Sequence, residues 1–300
     1  MLDLSAGARR TIDLSGPVVY RDYGGDGLPP AVMVHGIGGA GINWMLLAPL
    51  LTGSFHVMAL DLPGFGESPL AGRGAGLDAQ RDLVARFVEA TGEAPALVIG
   101  HSMGGLITML LCASRPDLAH HAVLFDPAFP PTSSPAPGLP GRVLDVLSSA
   151  PPIAGRLGGL MVRARGGRTV VVQSFRETSV DGAALPAPFV EAHVAAEEAR
   201  MRRAGAYVGY MQAWRWFRDN FRDQAGLEAM IQPNPVPTML LHGNSDRVVL
   251  PEAARRLSQL HPSWQTHFMD GVGHNPNFEA PEVSARLILD WAAVAPSRPR

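Results

Sequence analysis

Residues 96–113 read ALVIGHSMGGLITMLLCA: an apolar run, a serine between glycines, and a second apolar run. The first run has the length of a buried strand, and the second is typical of a helix. Between them, Gly100 and Gly104 flank Ser102 in the Gly-x-Ser-x-Gly pattern of a nucleophile elbow. A serine at so sharp a turn takes a strained backbone conformation, and glycine has no Cβ to clash with it. We therefore predict that Ser102 is a nucleophile and that the N–H of Met103 faces the atom it attacks.

A serine hydroxyl near its free pKa is a weak nucleophile, so it needs a histidine base, and the imidazole needs a carboxylate to hold its tautomer. His274 follows the strand-like run 266–269, and Asp246 follows the apolar run 238–241. Both loops leave the carboxyl ends of predicted strands, the edge at which open α/β sheets build their sites. The sequence thus predicts a Ser102–Asp246–His274 triad in the chain order serine, acid, histidine.

With these motifs, the chain resembles the α/β-hydrolase superfamily from about Val18 to Trp291. The loop His35-Gly36-Ile37-Gly38-Gly39 is similar to the oxyanion loop of that family, and the segment Asp61-Leu62-Pro63-Gly64-Phe65-Gly66-Glu67-Ser68 is similar to its next strand-to-turn connection. The resemblance implies the α/β-hydrolase fold, which is an α/β fold with a mainly parallel, doubly wound sheet. It also implies that the N–H groups of Ile37 and Met103 form the oxyanion hole, with Gly38 as an alternative to Ile37.

Alternating strand-like and helix-like stretches independently predict a mainly parallel sheet with helices on both faces. The expected strands are 18–23, 31–35, 55–60, 96–100, 121–126, 238–242 and 266–270. The expected helices of this part are 77–91, 102–114, 252–260 and 279–293.

The pattern changes between Asp126 and Pro237, where proline clusters enter and leave a stretch without a convincing pair of strands. Helical spacing occurs there at 141–150, 153–165, 168–178, 188–203 and 206–220. We interpret this stretch as a helical cap, or lid, at residues 128–232. The hydrolase core then comprises residues 1–127 and 233–300.

Large apolar side chains near the predicted site are candidates for an acyl pocket. Tyr207, Met211 and Trp214 share one face at helical spacing. We expect Met211 and Trp214 to bind substrate together with Trp44 and Phe129. The alternative is that these residues only pack the interior.

The identity of the acid has a competitor. Asp126 ends the strand-like run 123–125, and some relatives of the fold carry their acid at that position. Asp246 follows the strand that the family uses more commonly and stands in a loop, so we favour it.

Composition excludes several classes of function. The 300 residues are 46% hydrophobic and carry a formal charge of −2, with 25 basic and 27 acidic residues, so no basic stripe predicts nucleic-acid binding. Residues 1–16 lack the apolar core of a signal peptide, and no apolar run approaches the ~20 residues of a membrane span. We expect a cytoplasmic protein without stable membrane insertion, and self-association is left open. The single cysteine, Cys112, is expected to be a buried apolar group.

No metal and no other cofactor is expected. Histidines do not occur at metal-ligand spacing with carboxylates or thiols, and the glycine-rich loop after His35 lacks the Gly-Lys-Ser of a nucleotide loop.

Three functions remain open. The first is a serine hydrolase that cleaves carboxylic esters of small, largely apolar acyl substrates, with lactones and thioesters sharing the same chemistry. The second is a carbon–carbon bond hydrolase of the ring-cleavage type. Such enzymes usually have asparagine before the serine and tryptophan after the histidine, where this chain has His101 and Asn275, and this departure favours the ester hydrolase. The third is a small-ligand receptor that keeps the pocket without efficient turnover.

Overall fold

The computed structural model describes residues 6–91, 95–131, 146, 148–203 and 205–294. The strands of this part are β1 (Ala8–Asp13), β2 (Pro17–Gly24), β3 (Pro30–Val34), β4 (His56–Leu60), β5 (Ala96–His101), β6 (Ala119–Phe125), β7 (Thr238–Gly243) and β8 (Gln265–Met269). They form one sheet in the order β1-β2-β4-β3-β5-β6-β7-β8. Strand β2 is antiparallel to both of its neighbours, and the other pairs are parallel. The predicted mainly parallel sheet is confirmed.

Among the described strands, β1 is the one that the sequence did not predict. Its residues, ARRTID, are almost all exposed, so they lack the apolar alternation of a half-buried strand. The strand lies at the edge of the sheet, and Arg9 forms an ion pair with Glu67 at 2.8 Å. Charged side chains are common on edge strands because they discourage pairing with other chains.

The helices of the described residues are α1 (Leu77–Ala90), α2 (Met103–Ser114), α3 (Pro151–Arg165), α4 (Gly167–Thr178), α5 (Ala187–Met201), α6 (Val208–Arg222), α7 (Gln224–Ile231), α8 (Pro251–Leu260), α9 (Pro276–Glu279) and α10 (Pro281–Val294). The helix expected at 141–150 lies mainly outside the described residues. No helix of the described part is both long enough and apolar enough to cross a membrane.

Two apolar cores lie on opposite faces of the sheet. Along β3, Val32 and Val34 belong to one core, whereas Ala31 and Met33 belong to the other. Helices α1, α2 and α8 contribute to the first core and α10 contributes to the second, so helices cover both faces as predicted. The site therefore rests on a sheet that is packed from both sides.

Helices α3 to α7 lie between β6 and β7 in the chain, and we call residues 151–231 the helical segment. Helix α3 packs closely on α6, since a Cβ at Gly155 would lie 2.7 Å from the nitrogen of Val208. Phe175 of α4 and Phe189 of α5 stack at 5.5 Å, and the ring of Phe189 lies 5.1 Å from that of Phe278. Aromatic contacts thus fasten the helical segment to the loop region that follows β8.

Candidate active site

Ser102 stands at the turn between β5 and α2, with φ 52° and ψ −115°. Its N–H donates to the carbonyl of Phe125 at 2.9 Å, and its own carbonyl accepts from the N–H of Ala128 at 2.9 Å. These bonds tie the turn to the end of the neighbouring strand, β6. A left-handed conformation at a non-glycine residue is strained, and it persists because the surrounding bonds hold it.

The glycines of the motif are needed because the backbone approaches them closely. A Cβ at Gly100 would overlap the carbonyl oxygen of Gly104, and a Cβ at Gly104 would overlap the carbonyl oxygen of Val34. A Cβ at Gly36 would lie 3.1 Å from the Cβ of Ser102. The structure therefore places the loop after β3 directly against the serine turn.

His274 and Asp246 lie together at the carboxyl ends of β8 and β7. Nδ1 of His274 donates to Oδ2 of Asp246 at 2.7 Å, and both side chains are buried. The other oxygen of Asp246 accepts from the N–H groups of Val248 at 2.7 Å and Val249 at 3.1 Å. A neutral imidazole that donates through Nδ1 has its lone pair on Nε2, which suits a general base.

The charge of the Asp246 carboxylate is stabilised locally. Burial alone would raise its pKa, but the hydrogen bond and the charge of His274, together with the N–H of Val248, outweigh burial, so the pKa lies below its ordinary value. Asp246 is therefore ionised at neutral pH and can stabilise a positive charge on the imidazole.

The loop that carries His274 is clamped by one carboxylate. Glu279 accepts the N–H of Gly273 at 3.1 Å and that of Asn275 at 3.0 Å, on either side of the histidine. It also accepts the N–H of Val180 at 2.8 Å, which belongs to the helical segment. Three bonds to one charged group hold the loop and connect it to the helices above the sheet.

Two further histidines support the loops around Ser102. Nε2 of His101 donates to the carbonyl of His274 at 2.7 Å, and Nδ1 of His35 donates to the carbonyl of Gly36 at 2.7 Å. Burial lowers the pKa of His101 to about 3 and that of His35 to about 4. Both rings are therefore neutral at physiological pH and act through their hydrogen bonds.

Asp126, the alternative acid, is also buried at this edge of the sheet. One of its oxygens accepts the N–H of Gly243 at 2.9 Å, and the other has no hydrogen-bond partner within the described residues. Burial, and then the nearby charge of Asp246, raise its pKa well above the ordinary value. In the described structure Nδ1 of His274 is bonded to Asp246 and not to Asp126, which supports Asp246 as the acid.

The predicted oxyanion loop, residues 35–39, forms a tight turn beside the serine. The N–H of Gly39 donates to the carbonyl of Gly36 at 3.1 Å, and Gly38 has φ 76°. Met103 is the first residue of α2, so its N–H has no acceptor within its own helix. The helix end also favours negative charge at this point.

A cavity of about 550 Å³ is bordered by the residues described above. Ser102, His274, Ile37, Gly38 and Met211 all line it. The structure thus brings together the predicted nucleophile, the predicted base, the predicted oxyanion loop and one of the predicted substrate-binding residues.

The structure differs from the prediction at the other three substrate-binding positions, since Trp44, Phe129 and Trp214 are not among the described residues that line this cavity. Trp44 is fully buried and its ring packs 6.0 Å from that of Phe125 in the core. Phe129 is buried in the other core, on the face of the sheet opposite to Trp44. The reason is that apolar character alone does not distinguish a pocket wall from the interior.

Two groups of side chains in the described residues could reach a metal ion. They are Asp22, Asp26 and His56, and Asp126, Asp246 and His274. In the second group the His274 imidazole and the Asp246 carboxylate are already hydrogen-bonded to each other. In the first, Nε2 of His56 lies 3.2 Å from Asp22 and 3.4 Å from Asp26, so these side chains already contact one another directly. We assign no metal to either group.

Sequence reasoning missed several residues of the site. Glu279 and His101 hold the His274 loop, and Arg200 lines the cavity from the helical segment. Glu279 stands five residues after His274, but no local pattern predicts that its carboxylate folds back on the loop. Arg200 is placed by contacts between distant parts of the chain.

The family of the chain follows from comparison with known proteins. The model of the alpha/beta hydrolase family matches residues 31–287, so the chain belongs to this family. A putative lipase from Acinetobacter baumannii AYE has a similar crystal structure, with a TM-score of 0.77 and 21% sequence identity over 96% of this chain and 92% of that one. At this identity the likeness concerns the fold.

Two curated relatives align over most of their length. Lipase 1 of Psychrobacter immobilis is 26% identical over 89% of this chain and 78% of its own length. The 2-hydroxy-6-oxo-6-(2'-aminophenyl)hexa-2,4-dienoic acid hydrolase of Metapseudomonas resinovorans is 26% identical over 87% of this chain and 83% of its own length. Other curated relatives, at 35–39% identity, align with the chain over only 33%, 26% and 40% of their own length. The two named relatives that align over most of their length are thus a lipase and a dienoic acid hydrolase.

Proposed function

We propose that this chain is a serine hydrolase that cleaves carboxylic esters of small acyl compounds through an acyl-enzyme. The observation that carries the proposal is the bond of 2.7 Å between His274 and Asp246, in a structure whose strained Ser102 lines the same cavity as His274. Lactones and thioesters pass through the same tetrahedral chemistry and belong to the same proposal.

In the first step, Nε2 of His274 takes the proton of the Ser102 hydroxyl, and Oγ attacks the ester carbonyl. Negative charge moves to the carbonyl oxygen, which the N–H groups of Met103 and Ile37 stabilise. One such donor typically contributes about 2.7–4 kcal/mol to the transition state. When the tetrahedral intermediate collapses, the bond to the alcohol oxygen breaks and His274 gives that oxygen its proton.

In the second step, water replaces the alcohol. His274 takes a proton from the water molecule, which attacks the acyl carbon and forms a second tetrahedral intermediate. Its collapse releases the carboxylic acid and returns the proton to Ser102. Asp246 remains ionised in both steps and stabilises the imidazolium.

We further propose that the helices of residues 128–232 act as a cap on this site. Support comes from Met211 of α6, which lines the cavity with Ser102, and from the contacts that join α4 and α5 to the loop after β8. A wall made largely of apolar side chains suits an acyl group.

A panel of p-nitrophenyl esters of increasing acyl length tests the proposal, with Ser102→Ala as the control. The wild type should release nitrophenol with saturation kinetics, and the variant should lose several orders of magnitude in kcat. If the wild type binds the esters but releases no more nitrophenol than the variant does, the receptor-like alternative is favoured.

The carbon–carbon bond hydrolase remains a second candidate because a relative that aligns over most of its length carries such a name. A ring-cleavage dienoate added to the same panel separates the two. We expect a kcat/KM for the best ester well above that for the dienoate, and the opposite ranking would favour the second candidate.

A further inference from the structure

Arg200, in the last turn of α5, is a buried cation at the wall of the cavity. Its side chain is only 6% exposed, and it lines the cavity together with Ser102 and Gly38. Nη1 donates to the carbonyl of Gly38 at 3.2 Å, which attaches the guanidinium group to the oxyanion loop. A buried charge is unfavourable unless its donors find acceptors.

The contacts of Arg200 leave one edge of its guanidinium group unused. The face of the group stacks on the ring of Tyr207, with the central carbon 4.6 Å from the ring centre. Glu197 approaches Nη1 at 3.6 Å, and its other oxygen accepts the hydroxyl of Tyr207 at 2.6 Å. Within the described residues, Nε and Nη2 of Arg200 are buried and have no hydrogen-bond partner.

The two unused nitrogens point to one kind of ligand. Nε–H and Nη2–H lie on the same edge of the planar group and donate in parallel, which matches the two oxygens of a carboxylate. Glu197 offsets part of the charge through Nη1, but within the described residues no carboxylate pairs with the edge formed by Nε and Nη2, so this edge suits an anion.

Resting on the function proposed above, we infer that Arg200 binds a carboxylate on the acyl part of the substrate, so that the ester cleaved is a monoester of a dicarboxylic acid. The acyl side is favoured because His274 must protonate the departing alcohol, whereas Arg200 is bonded to the oxyanion loop at Gly38. This inference changes the expected substrate from a largely apolar acyl group to one with an anionic end.

Two matched esters test the inference: the 4-nitrophenyl monoester of glutaric acid, and its neutral methyl ester. Both have the same chain and the same leaving group, so the ratio of their kcat/KM values reports recognition of the charge. In the wild type we expect the charged ester to be favoured by about tenfold or more, as charge-assisted paired hydrogen bonds allow.

The variants separate charge from geometry. Arg200→Lys keeps the charge but lacks the paired donors, and it should lower the ratio. Arg200→Gln alone would leave the half-buried Glu197 without its cation, so the double variant Arg200→Gln/Glu197→Gln removes both charges and should bring the ratio close to one. Arg163→Gln is the control, because Arg163 is an exposed cation of α3 that is not among the described residues lining the cavity.

Binding of glutarate itself, measured by calorimetry, gives a readout that does not depend on turnover. We expect glutarate to bind the wild type and the Arg163→Gln variant, and to lose most of its affinity for the double variant. A wild type that does not prefer the charged ester, or a double variant that keeps both the preference and the binding, overturns the role of Arg200. A chain that binds glutarate through Arg200 but cleaves neither ester instead contradicts the proposed function.

Discussion

The carboxyl groups of Asp246 and Asp126 both lie near His274, and their surroundings shift their pKa values in opposite directions. Asp246 has a depressed pKa and is bonded to the imidazole, whereas burial and the charge of Asp246 raise the pKa of Asp126, which accepts the N–H of Gly243. These surroundings therefore favour the ionised form of Asp246 and disfavour the ionised form of Asp126. This difference assigns them different roles in the proposed reaction.

Asp246→Asn should lower kcat by about 10⁴-fold, because an amide no longer holds the imidazole in the tautomer that leaves Nε2 free. Asp126→Asn should lower kcat much less, since Asp126 is not bonded to His274 and an asparagine oxygen can still accept the N–H of Gly243. Steady-state kinetics on a p-nitrophenyl ester measures both effects, with circular dichroism to check that each variant folds. If kcat falls more in Asp126→Asn than in Asp246→Asn, Asp126 at the end of β6 is the acid that orients His274.

At this scale the sequence predicted the residues that belong to local motifs. Ser102, Asp246 and His274 each follow an apolar strand at a recognisable turn, so their meeting at one sheet edge could be predicted. Glu279 and Arg200 could not be predicted in this way. Their partners, Val180 and Gly38, are far away in sequence, and only the folded chain brings them together.

At the scale of secondary structure, α6 presents different faces to the cavity and to the rest of the molecule. Met211 lines the cavity, but Trp214, three residues later, does not line it within the described structure. Helical spacing predicted that the two residues lie close together on one helix, and both lie on α6. Only part of the surface of that helix borders the cavity, and that part includes Met211. Trp44 was expected in the pocket because it is apolar and follows the predicted oxyanion loop in sequence. Its side chain instead lies in the core, since closeness in sequence does not decide which way a side chain packs.

Met211→Ala should therefore change the preferred acyl length, and Trp214→Ala should not. Removing a side chain that contacts the acyl group forfeits about 0.8 kcal/mol for each buried methylene, so longer esters lose more than short ones. The measurement is kcat/KM for C2, C4, C6 and C8 esters, with melting temperatures recorded in parallel. A uniform loss in Met211→Ala, or a shift in chain length in Trp214→Ala, would contradict the cavity described here.

At the scale of the whole molecule, the buried histidines connect the fold to pH. The pKa of His35 is about 4 and that of His101 is about 3, both lowered chiefly by burial from an ordinary value of 6.5. The folded chain thus binds fewer protons than the unfolded chain when the pH falls below about 6.5. The stability that the neutral rings contribute should be complete above this pH, and it should be lost as the pH falls from about 6.5 to 4 for His35 and to 3 for His101.

Each of these two histidines should lower the free energy of unfolding by about 1.4 kcal/mol for each unit by which the pH falls in that range. The depressed pKa of Asp246 acts in the same direction at lower pH, and the raised pKa of Asp126 opposes it. Urea unfolding at about pH 7.5 and pH 5 measures the difference in unfolding free energy between the two pH values. The control variant His267→Gln replaces a half-exposed histidine and should keep this difference. Equal stability at the two pH values would mean that the buried rings are not held neutral.

The sheet could be predicted from the sequence where its strands contain apolar runs. The parallel strands β3 to β7 have such runs, β8 was expected from the strand-like run 266–269, and the helices cover both faces as expected. The edge strand β1 was missed because its exposed, charged residues carry no apolar signal and it forms only by pairing with β2.

The central claim is that Ser102 is an activated nucleophile, and covalent labelling by a fluorophosphonate probe tests it most directly. Intact mass spectrometry of the wild type should show one added phosphonyl group, and peptide mapping should locate it on Ser102. Labelling should be lost in Ser102→Ala and strongly slowed in His274→Ala, because the base that takes the hydroxyl proton is then absent. A wild type that stays unlabelled, or a label that persists at another residue in Ser102→Ala, would contradict the account.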